Sequence, residues 1–269
     1  MCRLILMNKN GEKEIERNYG LTNYLEYLEM SMGGHGNGVA LLRNGKVVYL
    51  EKGVNLSVKE IAKVIRKRKY DWCIFHTRLA SVGRKSDQNC HPFMIGNEVM
   101  AMNGTERTET LLTKAKDITD TEAILSVKEK FNLEIPVLTN LSSIFVGFSK
   151  GKPYVVANNT FNMMLLYKKK DNSIVFASSF PDKMKKNIYE TKECFVWNDN
   201  EIDMEKFKKR KKQKQLKYKQ EIIDDLLPFD EFENNEELRD LYEYYYQMEL
   251  EELEEQDKLE RGGVIQNAA

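Results

Sequence analysis

The sequence predicts an α+β fold over residues 1–195, with two antiparallel sheets packed face to face and helices outside. Three observations point there. Short apolar strands recur along this stretch, three pairs of them flank tight-turn dipeptides, and only a few helical segments intervene.

CRLILM, from Cys2, is a short apolar strand. VALLRNGKVVYLE is two strands around Asn44-Gly45, a hairpin signal because both residues tolerate the positive φ that a two-residue turn needs. SVKEIAKVIRKRK opens on Ser57, whose hydroxyl suits a helix N-cap, and sets Ile61, Val64 and Ile65 on one helical face. WCIFHTRL and NEVMAMNGT are strand-like, and TDTEAILSVKEKF is a helix that opens on an Asp/Thr capping region. SIFVGFSKGKPYVVANN and MMLLYKKKDNSIVFASSF are hairpins turning at Lys150-Gly151 and Asp171-Asn172. The glycine-rich SMGGHGNGVALL leads into a strand rather than a helix and lacks G-x-G-x-x-G spacing. It reads as a tight loop bringing backbone close to a neighbour, with His35 structural.

Beyond about Asn200 the composition changes, and residues 196–269 read as a charged, helical or partly disordered extension. EKFKKRKKQKQLKYKQ, from Glu205, is basic; the stretch that follows, through Arg261, is acidic and carries the aromatic run DLYEYYYQMELEELEEQ. The adjoining carboxylates favour self-pairing or a protein partner for the basic block over nucleic acid.

Lys+Arg 42 balance Asp+Glu 42, so no global field points to nucleic acid or a membrane surface. No apolar run approaches the roughly 20 residues of a membrane span, and the opening run lacks the flanks of a signal peptide, so the expected compartment is the cytoplasm. Cys2, Cys73, Cys90 and Cys194 form no C-x-x-C pair and only three histidines accompany them, which argues against a metal site or a disulfide framework. No cofactor is expected. Cys90 and His91 are adjacent, and neighbours on a strand point to opposite faces, so they do not read as a thiol and base pair.

Taken alone, Cys2 reads equally as a small hydrophobe or as a nucleophile. If Met1 is removed, the thiol and a free α-amine belong to one residue. An α-amine has a pKa of about 7.7 to 8.0, so roughly a tenth or more is neutral at pH 7 and can take the thiol proton. Other residues add to this possibility. Arg78 follows a strand in a turn region, where it can grip a carboxylate through two parallel hydrogen bonds, or serve as a surface arginine. Asn103 and Gly104 end a strand, where an amide and a backbone N–H can stabilise an oxyanion, or simply make a turn. Asp120 lies just before a helix, where its plain role is N-cap and its alternative one is to pair with a substrate ammonium.

Cys2, then H-G-x-G-V-A, H-T-R-L-A-S-x-G, N-C-H-P-F, M-N-G and T-D-T-E-A-I-L occur in an order that resembles the class II glutamine amidotransferases of the N-terminal nucleophile hydrolase superfamily, over residues 2 to 180. The compact, free-standing members are the most similar. The resemblance implies a four-layer αββα sandwich. It also implies that Cys2 attacks the carboxamide of glutamine with its own amine as base. Arg78 would hold the substrate α-carboxylate and Asp120 its α-ammonium, with Ser81 in the substrate-binding segment; Asn103 and the Gly104 N–H would form the oxyanion hole. Ser81 replaces the family threonine, Thr119 replaces a serine, and Met102 replaces a histidine beside the oxyanion hole.

Such enzymes pass ammonia to a second active site, and the charged extension is too short and too polar to house one. The expectation is therefore a glutaminase module that supplies an acceptor protein, with the extension as docking element. Two alternatives remain: an independent amidase acting on another γ-glutamyl or amide substrate, and a catalytically silent assembly protein on the same fold.

Overall fold

The computed structural model describes residues 2–81, 83–106, 118–135, 143–157, 163–184, 187–192 and 195–209. Nearly all of the charged extension, Cys194 and Met1 lie outside these residues.

The chain starts in the middle of its larger sheet. β1 (Arg3–Asn8) is followed by α1 (Lys9–Asn18), α2 (Leu21–Met32), the hairpin β2 (Asn37–Arg43) and β3 (Lys46–Gly53), α3 (Val58–Lys67) and β4 (Trp72–Thr77). Next come β5 (Phe93–Ile95), β6 (Glu98–Asn103) and α4 (Asp120–Phe131). The hairpin β7 (Ile144–Ser149) and β8 (Lys152–Ala157) and the pair β9 (Met164–Lys168) and β10 (Ser173–Ala177) follow, then β11 (Ile188–Thr191), β12 (Phe195–Trp197) and β13 (Phe207–Lys209).

Eight strands make one sheet, in the order β13-β11-β9-β10-β1-β4-β2-β3, and five make the other, β12-β8-β7-β6-β5. Every pairing is antiparallel. The two-residue alternation of β1 shows how the layers stack. Ile5 and Met7 join Leu21, Tyr24, Leu25, Leu28, Ile61 and Ile65 under α1–α3. Leu4 and Leu6 face the other way, against Val99, Ala101, Val146 and Phe148 of the smaller sheet. A third core, including Met100, Met102, Phe145 and Val156, packs against Ile124 and Leu125 of α4. Helix, sheet, sheet, helix is the αββα order expected.

Local chemistry sets the ends of these elements. The Ser57 hydroxyl accepts from the Glu60 N–H while the Glu60 carboxylate reaches back to the Ser57 N–H, a capping box that starts α3. Asn44 and Asn172 take φ +50 and Lys150 φ +50, as the hairpin turns need. α1 and α2 were not expected. α1 buries few apolar side chains; α2 buries Leu21, Tyr24, Leu25 and Leu28, a spacing legible as a helix. The expected division at 195/196 falls within β12, and strands paired into both sheets continue to Lys209.

Candidate active site

β1 and β4 are paired with Arg3 opposite Thr77, which sets Cys2 beside the Arg78–Leu79 segment that leaves β4. The Leu79 N–H donates to Cys2 Sγ at 3.3 Å, and Sγ lies 3.4 Å from the Leu79 carbonyl. β6 comes from the other sheet, and at its end Asn103 Oδ1 accepts from the Cys2 backbone nitrogen at 2.9 Å. A thiol, its own nitrogen and the Asn103 carboxamide therefore meet where the start of β1 in the larger sheet comes against the end of β6 in the smaller one.

Gly104 has φ +126, and a Cβ on it would come within 2.4 Å of Ser143 Oγ. Glycine is required here by conformation and by space, because Ser143 packs against the main chain next to Asn103.

Arg78 is 3% exposed. Its Nη1 donates to the Arg84 carbonyl at 2.8 Å and its Nη2 to the Gly83 carbonyl at 3.3 Å, so the loop after β4 wraps the guanidinium. Burial pulls Arg78 below its ordinary value, opposed by Cys2, Cys90 and Asp120. His35 is structural, as expected. Its N–H donates to the Arg78 carbonyl at 2.9 Å, and its Nδ1 accepts from the Ala80 N–H at 2.9 Å. The glycine-rich lead passes within close reach of this loop; a Cβ on Gly36, at φ +129, would lie 2.3 Å from Cys90 Sγ.

Asp120 differs from its plain reading as an N-cap. Thr119 caps α4, its hydroxyl accepting from the Glu122 N–H, and Asp120 is the first residue of the helix. This frees its carboxylate for other donors: Oδ2 accepts from the Glu106 N–H at 3.0 Å and Oδ1 from the Thr121 N–H at 2.9 Å. Burial raises its pKa, and those two N–H groups counter the rise. Asp120 acts electrostatically on both Cys2 and Arg78. Ser81 is exposed, and its Oγ lies 3.2 Å from Thr105 Oγ1, next to Gly104.

Burial pushes the Cys2 thiol above its ordinary value, opposed by the Leu79 N–H and the Arg78 charge. A thiol held protonated is a poor nucleophile at rest and needs a base at the moment of attack. Sequence reading did not single out the Leu79 and Glu106 N–H groups, which belong to the main chain and leave no mark on residue type. Cys90 and His91 do not pair. Cys90 Sγ faces the Ser86 carbonyl, while the His91 ring turns to His76. Among the described residues no three His, Cys, Asp or Glu side chains come together as a metal-holding group, and no helix is long and apolar enough to cross a membrane.

Comparison with solved structures identifies the same architecture elsewhere. The glutamine phosphoribosylpyrophosphate amidotransferase of B. subtilis, complexed with ADP and GMP, is similar with a TM-score of 0.55 and 18% identity, over 77% of this chain and 48% of that one. The chain shares the fold of the class II glutamine amidotransferases. A structure described as the allosteric regulatory enzyme of purine biosynthesis matches at TM-score 0.56 and 18% identity, again over 77% and 48%. A glutamine aminotransferase class-II domain protein from Silicibacter pomeroyi aligns at TM-score 0.43 and 12% identity, over 73% of this chain and 99% of that one. The chain thus spans about half the length of the first two structures. No protein-family model and no curated protein matches it.

Proposed function

We propose that the chain is a glutamine amidotransferase that hydrolyses glutamine at Cys2 and supplies the ammonia to an acceptor protein. The observation that carries this reading is the meeting of Cys2 Sγ, the Cys2 nitrogen and Asn103 where the start of β1 comes against the end of β6.

With Met1 removed, the Cys2 nitrogen is an amine. It takes the thiol proton as sulfur attacks the side-chain carboxamide carbon; a C–S bond forms and the carbonyl becomes an oxyanion. Asn103 Nδ2–H and the Gly104 N–H donate to that oxyanion, worth about 10²–10³ in rate for each such donor in other enzymes. The ammonium returns its proton to the leaving nitrogen, the C–N bond breaks, and ammonia departs. Water, with the same amine as base, then releases glutamate from the thioester and restores the thiol.

Arg78 and Asp120 supply opposite charges for the α-carboxylate and α-ammonium of the amino acid, with Ser81 at the rim. Arg78 also donates to Gly83 and Arg84, so the loop and the substrate share one guanidinium. The charged extension, outside the described residues, is the proposed docking element for the acceptor.

Intact-mass analysis of protein made in cells, before and after a glutamine-analogue electrophile, tests this reading. Loss of one methionine and a single adduct, absent in Cys2→Ala, is the expected result. A retained Met1 with no adduct leaves the nitrogen an amide, removes the base and overturns the proposal.

A further inference from the structure

β6 carries Asn103 and Gly104, yet its edge partner stops short of them. β5 pairs with Phe93 opposite Met100. Continuing that register would set residue 91 against Met102, but β5 begins only at Phe93, after Pro92, which has no N–H to give. The His91 carbonyl lies instead against Gly38 of the larger sheet, where a Cβ would come within 2.1 Å of it. The buried Met102 carbonyl therefore needs a donor from elsewhere.

A side chain of the opposite sheet supplies it. His76, on β4, is fully buried, and its Nε2 lies 3.0 Å from the Met102 carbonyl oxygen. His91 Nδ1 lies 2.9 Å from the same ring nitrogen, with the two rings 4.2 Å apart. A carbonyl only accepts, so a ring N–H must face it; with the proton on His76 Nε2 the Met102 carbonyl accepts from His76, and His91, whose ring also reaches that carbonyl, lies beside the bond. In that tautomer His76 Nδ1, which has no partner among the described residues, is a bare lone pair. This is the arrangement a buried site tolerates best, since an unpaired N–H or a charge there costs more.

The pair also resists a further proton. Adding one would place an N–H on His76 Nδ1 with nothing to receive it, or on His91 Nδ1 facing the His76 N–H. Burial, with Arg78 and Lys52 nearby, acts in the same direction and lowers His76 to about 3 and His91 well below its ordinary value.

We propose that His76, backed by His91, is a positioning residue for the oxyanion hole: its ring N–H replaces the missing strand donor at Met102 and so fixes the direction in which Asn103 and Gly104 face Cys2. The catalytic part of this inference rests on the proposed glutaminase reaction; the structural part, an inter-sheet tie to the end of β6, does not.

The test compares His76→Gln, whose amide N–H reaches the Nε2 position, with His76→Leu, which has no donor. Ile61→Ala, on the buried face of α3 in the core between the helices and the larger sheet, serves as a control for general loss of stability. Glutamine kcat and KM are measured together with hydrogen exchange of the segment 98–106. The expected result is a kcat about 10- to 100-fold lower in His76→Leu with KM within about twofold, because misaligned donors weaken only the transition state. Most of that rate returns in His76→Gln, and Ile61→Ala keeps kcat. Exchange in 98–106 rises in His76→Leu and not in the control. Equal loss in the Gln and Leu variants, a kcat unchanged in His76→Leu, or a matching loss in Ile61→Ala overturns the proposal. If the wild-type protein hydrolyses no glutamine, the glutaminase reading fails by itself. Exchange then decides the positioning role alone: a rise confined to 98–106 in His76→Leu supports it, and unchanged exchange overturns it.

Discussion

Two buried cysteines near Arg78 make an instructive pair. Cys2 leads into β1 and Cys90 sits in the loop before β5; burial raises both thiols, and the Arg78 charge pulls both back. What separates them is the set of atoms they face. Cys2 Sγ lies 3.4 Å from the Leu79 carbonyl but also receives the Leu79 N–H, and it is joined through its own nitrogen to Asn103. Cys90 Sγ faces two carbonyls, Ser86 at 3.4 Å and His35 at 4.0 Å. A thiolate gains from donors and is repelled by carbonyl oxygens, so the surroundings of Cys2 suit a reacting sulfur and those of Cys90 suit a permanent thiol. Burial raises both thiols alike in direction; the two differ in the donors arranged around them.

The largest expected difference comes from removing each thiol. Cys2→Ala lowers glutamine hydrolysis by at least about a thousandfold, because no other group can form the thioester. Cys90→Ala leaves the rate within about threefold and costs about 1 kcal/mol of stability for the small cavity it opens. Steady-state ammonia release and thermal unfolding measure the two effects. Comparable losses of rate in both variants would erase the contrast.

Next in size is the contribution of the donors. Asn103→Ala removes the acceptor of the Cys2 nitrogen and one proposed oxyanion donor together, and kcat falls by about 10²-fold with KM little changed. A rise in KM at constant kcat would move Asn103 from transition-state stabilisation to simple binding. Arg78→Lys is expected to act the other way: KM for glutamine rises by about tenfold or more while kcat changes less. A lysine keeps the charge but loses the planar fork that both the loop carbonyls and a carboxylate use.

The contrast between the thiols also shows what a sequence can and cannot disclose. Turns and caps were legible because single residue types force them: Asn44-Gly45 and Asp171-Asn172 turn where an asparagine takes φ +50, and Ser57 with Glu60 starts α3. α1 was not legible, since KNGEKEIERN buries Gly11, Glu12, Glu14 and Ile15 and offers no apolar face to read. Its side chains are held by ion pairs such as Lys168 to Glu14 at 3.0 Å. α2 had the periodicity, but Gly20 stands at its cap without a side-chain bond, so no start signal marked it. At the site, the residue types were visible in the motifs while the groups that set their geometry were not. The Leu79 N–H at the thiol, the Glu106 N–H at Asp120 and the Met102 carbonyl at His76 are main-chain atoms, identical at every position until the fold places them.

The smallest expected difference between the two thiols lies in alkaline stability. Each folded thiol is raised above its ordinary value of about 8.5. Below that pH the thiol is protonated in both the folded and unfolded chain and contributes no pH dependence. Above it the unfolded thiol ionises while the folded one keeps its proton, so the unfolded state binds fewer protons. Stability then falls with rising pH by up to about 1.4 kcal/mol per pH unit for each such thiol. Cys2→Ala and Cys90→Ala should therefore each flatten the slope of unfolding free energy between about pH 8.5 and 9.5. Urea titrations across that range measure it. A change of slope of the opposite sign in Cys2→Ala would mean that its surroundings already hold the sulfur as thiolate, and its attack on glutamine would then need no base in the first step.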